Sequence, residues 1–424
     1  MTTEPTSRPP TGVGADVRGV QRRTVGVLAA AQVVGGVGTG SGLSVGALLL
    51  ADMSGSSAVA GLATTMLTLG AAAGSMPLAR LAAARGRRPG LALGWALAAT
   101  GGAVVVAGAA LGSVLLVLLG LAVSGISSAT NLQSRYAATD LAEPAGVGRA
   151  LGLVVWSTTV GAVLGPNLTG PGAAVARSVG LPDLAGPFCF SVASFAVAAV
   201  LMLVALRPDP LLVARDRDAA GAPSGPRPRP GLADAWRTVR SHPTTTAGMA
   251  TVATAHAVMV SVMAMTPVHM QGHGAALQVI GLTISLHIAG MFALSPVMGW
   301  LVDRRGATRT AVLGQVVLLV AVAVAGTAGE SEVRITVGLV LLGLGWSASL
   351  ISGSAMVASS VDGPERTAVQ GLSDVTMNLA GALGGLLAGA VVALAGFEVL
   401  CVAAAVLVVP LLVLHTRHAA PDRP

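Results

Sequence analysis

Apolar residues in this chain come in long, nearly unbroken runs, separated by short polar turns. Six runs lie near 24–50, 57–79, 90–110, 113–134, 150–173 and 186–206; six more lie near 244–267, 277–301, 308–328, 335–359, 370–394 and 396–414. Each approaches the roughly 20 residues that a helix needs to cross the hydrocarbon core of a bilayer. In that solvent every backbone N–H and C=O must be satisfied within the segment, which makes each run a helix. The pattern predicts an all-α integral membrane protein of twelve transmembrane helices.

The polar stretch between the two sets, 207–243, includes the run RPDPLLVARDRDAAGAPSGPRPRP, whose Pro, Gly and charge content predicts a solvated linker. The predicted order is a tail over 1–23, a six-helix bundle over 24–206, the linker, a second bundle over 244–414 and a tail over 415–424. The bundles look duplicated. At an offset of 220 residues Gly86 meets Gly306, Gly161 meets Gly381 and Gly165 meets Gly385, each pair at equivalent places in the span order. Two pseudo-symmetric six-helix units of this kind are typical of secondary transporters.

Composition supports the membrane reading. Charged residues make up 10% of the chain against 53% apolar, and water-facing domains carry about 25% charge. The net charge of +7 suggests nucleic acid until the basic residues are placed. All are arginine, and 23 of the 25 fall in one alternate set of inter-span segments, leaving Arg177 and Arg334 for the other set. That asymmetry is the positive-inside signature, so both termini and the linker are expected in the cytoplasm, with no nucleic-acid partner. Cys189 and Cys401 lie within apolar runs, too few and too far apart for a disulfide framework or zinc site. No removable signal peptide is read at the N-terminus. The chain has no HExxH and, lacking lysine, no Walker loop, so no enzyme and no cofactor is expected. Gly42-Leu43-Ser44-Val45-Gly46 matches a nucleophile elbow in letters only, because an elbow needs a strand-to-helix turn.

Between the eighth and ninth spans stands Gly299-Trp300-Leu301-Val302-Asp303-Arg304-Arg305-Gly306-Ala307-Thr308-Arg309. It resembles the signature loop of the major facilitator superfamily, GxxxDRxGxR. The resemblance implies transport by alternating access, with this loop latching the cytoplasmic side in the outward-facing state. An Asp at a helix end suits that role, since it can pair with arginine and with the positive N-terminus of a neighbouring helix. The equivalent first-half loop, Arg80 to Arg88, keeps Gly86, Arg87 and Arg88 but has Ala83 where the offset places Asp303. The latch is therefore expected to be lopsided.

The fifth span carries Gly161-Ala162-Val163-Leu164-Gly165-Pro166-Asn167-Leu168-Thr169-Gly170. This resembles the superfamily's antiporter motif, GxxxGPxxxG, and implies export. Small residues four apart let helix backbones approach closely. The RxxQG of drug/proton antiporters is missing from the fourth span, where Leu121 and Ser124 hold the Arg and Gln positions before Gly125.

Ionisable groups inside a span are costly and so point to function. Asp374, His256 and His287 qualify as proton-coupling or substrate groups, with a bonded, structural histidine or a helix-capping Asp as the alternatives. The superfamily's central cavity is lined by the first, fourth, seventh and tenth helices, which marks Gln32, Asn131, His256 and Trp346 as lining candidates; Asn378 stands one turn beyond Asp374. Met259 and Met263 share a helical face with His256, a stripe better suited to adaptable packing than to metal. The expected function is export of a small hydrophobic or cationic compound, coupled to protons, by a monomer in the bacterial cytoplasmic membrane. Import of a small nutrient and a non-transporting membrane sensor are the competing readings.

Overall fold

The computed structural model describes residues 13–55, 57–219 and 232–419. The first half holds α1 (Val13–Ser54), α2 (Ser57–Arg85) and α3 (Arg87–Ala110). Its fourth span is α4 (Val114–Ser124) with α5 (Ile126–Ala137), its fifth is α6 (Val147–Asn167) with α7 (Thr169–Ser178), and its sixth is α8 (Gly186–Ala205). The short helices α9 (Pro210–Ala219) and α10 (Leu232–Ser241) follow. The second half holds α11 (Pro243–Gly272), α12 (Leu277–Phe292) with α13 (Ser295–Arg305), α14 (Ala307–Gly326), α15 (Glu332–Ser359), α16 (Arg366–Ala395) and α17 (Phe397–Ala419). Among the described residues eleven helical segments are long and apolar enough to cross a membrane, and α6 with α7 takes the fifth place in the order.

The breaks have local causes. Pro171 has no N–H to give the Asn167 carbonyl, and Pro296 has none for that of Phe292, so α6/α7 and α12/α13 part at Leu168 and Leu294. Gly86 and Gly306 separate α2 from α3 and α13 from α14 at φ of +94° and +88°, a region that costs any residue with a Cβ.

Packing repeats with the sequence offset. α1 packs on α6 as α11 packs on α16, and α3 on α8 as α14 on α17. The halves meet along α2 against α16 and along α6 against α13. This is the predicted pair of six-helix bundles.

Three boundaries differ from expectation. The tail over 1–23 is helical from Val13, and α17 continues past 414 to Ala419, with 420–424 outside the described residues. The linker carries two helices rather than solvated coil alone. In α10, Ala235 and Val239 stand four apart and are buried among Met249, Val357 and Val369, so a short amphipathic helix gains apolar contact there that its charged neighbours conceal in the sequence.

Candidate functional site

The hydrogen bonds described across the two halves gather at one end, the end rich in arginine. The deepest is Arg135 of α5 with Asp374 of α16, 2.8 Å apart, the side chains 2% and 0% exposed. The Arg135 guanidinium also lies over the Tyr136 ring, and the Tyr136 hydroxyl donates to Ser373 Oγ at 3.3 Å. Beside it Arg87 donates to both carboxylate oxygens of Asp140, from Nε at 2.8 Å and from Nη2 at 3.0 Å, and the same Nη2 crosses to Gln370 Oε1 at 2.6 Å. A buried ion pair costs much in desolvation and is strongly destabilising when one partner is removed, so these contacts are poor evidence of net stabilisation.

On the other seam Asp303 caps the first turn of α6. Its carboxylate accepts from the backbone N–H of Gly148 at 2.7 Å and of Arg149 at 3.0 Å, and from Arg149 Nε at 3.0 Å. The anion thus sits on the positive end of a helix from the opposite half. Gly299 permits this approach, because a Cβ there would stand 2.2 Å from the Gly148 carbonyl oxygen. Arg304 and Arg309 point elsewhere: Arg304 covers Trp300, Arg309 is exposed, and the arginine on Asp303 is Arg149. Gly86 and Arg88 meet the carboxylate of Asp209, the residue before α9.

The mid-membrane candidates fall into separate groups. Trp346 Nε1 donates to His256 Nδ1 at 3.1 Å, and Phe292 meets Trp346 edge-on at 5.8 Å. Gly381 makes room for that imidazole, since a Cβ would lie 2.5 Å from His256 Cδ2. Within the first half Gln32 Nε2 donates to Asn131 Oδ1 at 2.8 Å. Asn378 Nδ2 donates to the Asp374 backbone carbonyl. His287 is fully buried with Nδ1 on the Leu339 carbonyl at 2.7 Å, a helix-to-helix bond that involves neither Asp374 nor His256. Gly161 and Gly165 bring α6 onto α1, where added Cβ atoms would stand 2.3 and 2.6 Å from the Gly36 and Gly40 carbonyl carbons. A Cβ at Gly170 would meet open space, and the Pro166 side chain lies outside the described residues. The groove between α14 and α17, lined by Leu319, Val322, Cys401 and Val406, is apolar and remote from these groups.

The family model described as Major Facilitator Superfamily matches residues 27–279 and 248–424. The chain belongs to the major facilitator superfamily. It is 40% identical over 377 residues to the uncharacterized MFS-type transporter YdeG of Bacillus subtilis, covering 89% of this chain and 87% of that one. It is 30% identical over 379 residues to the riboflavin transporter RfnT of Brucella anthropi, covering 89% and 91%. In fold it matches the human organic anion transporter MFSD10 at a TM-score of 0.71 and 19% identity, covering 96% of this chain and 100% of that one. An outward-facing bacterial homologue of the iron transporter ferroportin follows at 0.69 and 13% identity, covering 93% and 98%. The chain is a multi-pass membrane transporter and not an enzyme.

Within this superfamily fold, the sequence reading missed Arg135, Asp140 and Gln370, and placed Arg87 in the gating loop without these partners. Arg135 was assigned to a polar segment because the apolar run of the fourth span ends at 134, whereas α5 continues to Ala137 and draws it inside. The available signal was spacing: Arg135 and Tyr136 follow Asn131 and Gln133 on an uninterrupted helical stretch free of Gly and Pro.

Proposed function

We propose that this transporter exports a small hydrophobic compound by alternating access, exchanging it for protons, with the arginine-rich end in the cytoplasm of a bacterial cell. The observation that carries the reading is the Arg135–Asp374 pair. It joins the halves, it lies inside the membrane-spanning helices, and one partner is a carboxylate that a proton can neutralise. Protonating Asp374 removes its attraction for Arg135 and loosens that end; losing the proton draws the halves together again. The close α1–α6 crossing at Gly161 and Gly165 supports export through the antiporter-like motif. Because Asp374 is already paired, no spare negative charge among the candidate groups favours a cation, and neutral hydrophobic compounds move ahead of cationic ones.

A second reading rests on the 30% identical relative named as a riboflavin transporter. A planar aromatic metabolite suits the cluster of His256, Phe292 and Trp346. The experiment is accumulation of a fluorescent lipophilic cation, a neutral lipophilic dye and riboflavin in energised cells, with and without a protonophore, against Asp374→Asn. Lower accumulation of the neutral dye that vanishes in both controls supports the proposal. Higher riboflavin alone supports the second reading, and no change for any probe sinks both.

A further inference from the structure

The first-half loop lacks the acid that its partner loop uses, yet it is not without one. Asp209, immediately before α9, accepts at Oδ2 from the backbone N–H of Arg88 at 2.7 Å, in the first turn of α3. Its other oxygen accepts from Leu211 N at 3.0 Å and Leu212 N at 3.3 Å, the first turn of α9. One carboxylate therefore caps two helix N-termini at once, where backbone donors are unpaired and the helix dipole favours negative charge. Gly86 is shaped around it: φ is +94°, and a Cβ would stand 2.4 Å from Asp209 Oδ2. The residue between Gly86 and Arg88 is Arg87, which is buried and reaches Gln370 in the opposite half.

We infer that Asp209 is a positioning residue of the gate: it replaces, from outside the loop, the acid missing at Ala83, and holds the start of α3 so that Arg87 bridges Asp140 to Gln370. It acts through Arg87 and touches no group of the opposite half itself. The chain thereby closes its two seams differently, one by a carboxylate of the loop on the far half, the other by a carboxylate of the linker on its own half.

The test uses the full chain in proteoliposomes, with Cys189 and Cys401 replaced by serine and a reporter Met76→Cys, at the α2–α16 seam. The readout is the rate of modification by a membrane-impermeant maleimide added at the arginine-rich side. Asp209→Ala is expected to raise that rate about tenfold, the size of one lost charged cap, and Asp209→Glu to restore most of it. In a Gln370→Ala background Asp209→Ala should add little, because both act along one path. An unchanged rate in folded Asp209→Ala, or effects that multiply independently with Gln370→Ala, overturns the inference. If Asp209→Ala does not fold, Asp209→Asn takes its place in the same cycle, with an expected rise of about threefold by loss of the charge alone.

Discussion

The loops at Gly86 and at Gly306 occupy equivalent places and share the same backbone turn, yet they fasten the molecule by different means. After α13, Asp303 reaches straight across to the N-terminus of α6 and needs only two backbone donors. In the last turns of α2, Ala83 has no carboxylate to offer, and the N-cap residue of α16, Glu365, makes no side-chain cap bond. Closure on that seam runs through buried side chains instead, Arg87 with Asp140 and Gln370, and Arg135 with Asp374. A duplicated fold thus preserves where the halves must be tied while leaving open what ties them. The side-chain route also places a carboxylate inside the membrane-spanning helices, where protonation can act on it.

The comparison is broken most severely by Arg135→Ala, which leaves Asp374 buried without its partner. A buried pair halved in this way costs the closed state about 3–5 kcal/mol. Transport of the substrate found by the accumulation assay is expected to fall at least a hundredfold, measured as initial rates in vesicles. Asp303→Asn removes the charge facing the α6 N-terminus; about 1.5–3 kcal/mol attaches to such charged bonds, and the contribution of exposed Arg149 is discounted as screened. A roughly tenfold fall in transport is expected, with faster modification of a cysteine placed at Val147.

Gln370→Ala removes a neutral acceptor and should cost about fivefold at most, since Arg87 keeps both bonds to Asp140. The reverse experiment makes the seams alike. Ala83→Asp stands one turn beyond Ala79, whose Cβ meets the position a Cβ on Gly371 would take. An acid there is expected to strengthen the closed end and slow turnover two- to threefold, read as a lower maximal rate at unchanged expression. Arg304→Ala, whose guanidinium covers exposed Trp300, should leave transport within error of wild type even though the residue belongs to the signature motif.

Twelve spans, two bundles and the close Gly161–Gly165 crossing were legible because length, hydropathy and small-residue spacing determine them directly. So was the placement of Asp303 on the N-terminus of a neighbouring helix, the pairing that its position at a helix end implies. Arg135 was not legible: hydropathy marks where apolar residues stop, while a helix that keeps its backbone bonds can carry a charge further inside if a carboxylate waits there. Asp374 was picked out for its burial, but its partner lies 239 positions away, a pairing that only the packing of α5 on α16 supplies. His287 was picked out in the same way, and its Nδ1 meets the Leu339 carbonyl while its buried Nε2 has no hydrogen-bond partner among the described residues. Asp209 was hidden in a stretch whose composition spelled linker.

The central claim is that a proton on Asp374 opens the arginine-rich end by releasing Arg135. The groups facing Asp374 are Arg135 and Tyr136 of α5 and Arg87 of α3, with Asp140 behind Arg87 and His256 further along α11. The direct measurement is the spin-label distance between cysteines at Arg85 and Arg305, one in each half, recorded at neutral and acidic pH on a background without Cys189 and Cys401. The account predicts that acid moves the wild-type distribution to longer distances and that Asp374→Asn shows the longer distances at both pH values. An acid-driven shift of full size that survives in Asp374→Asn would contradict it and place the proton on another group.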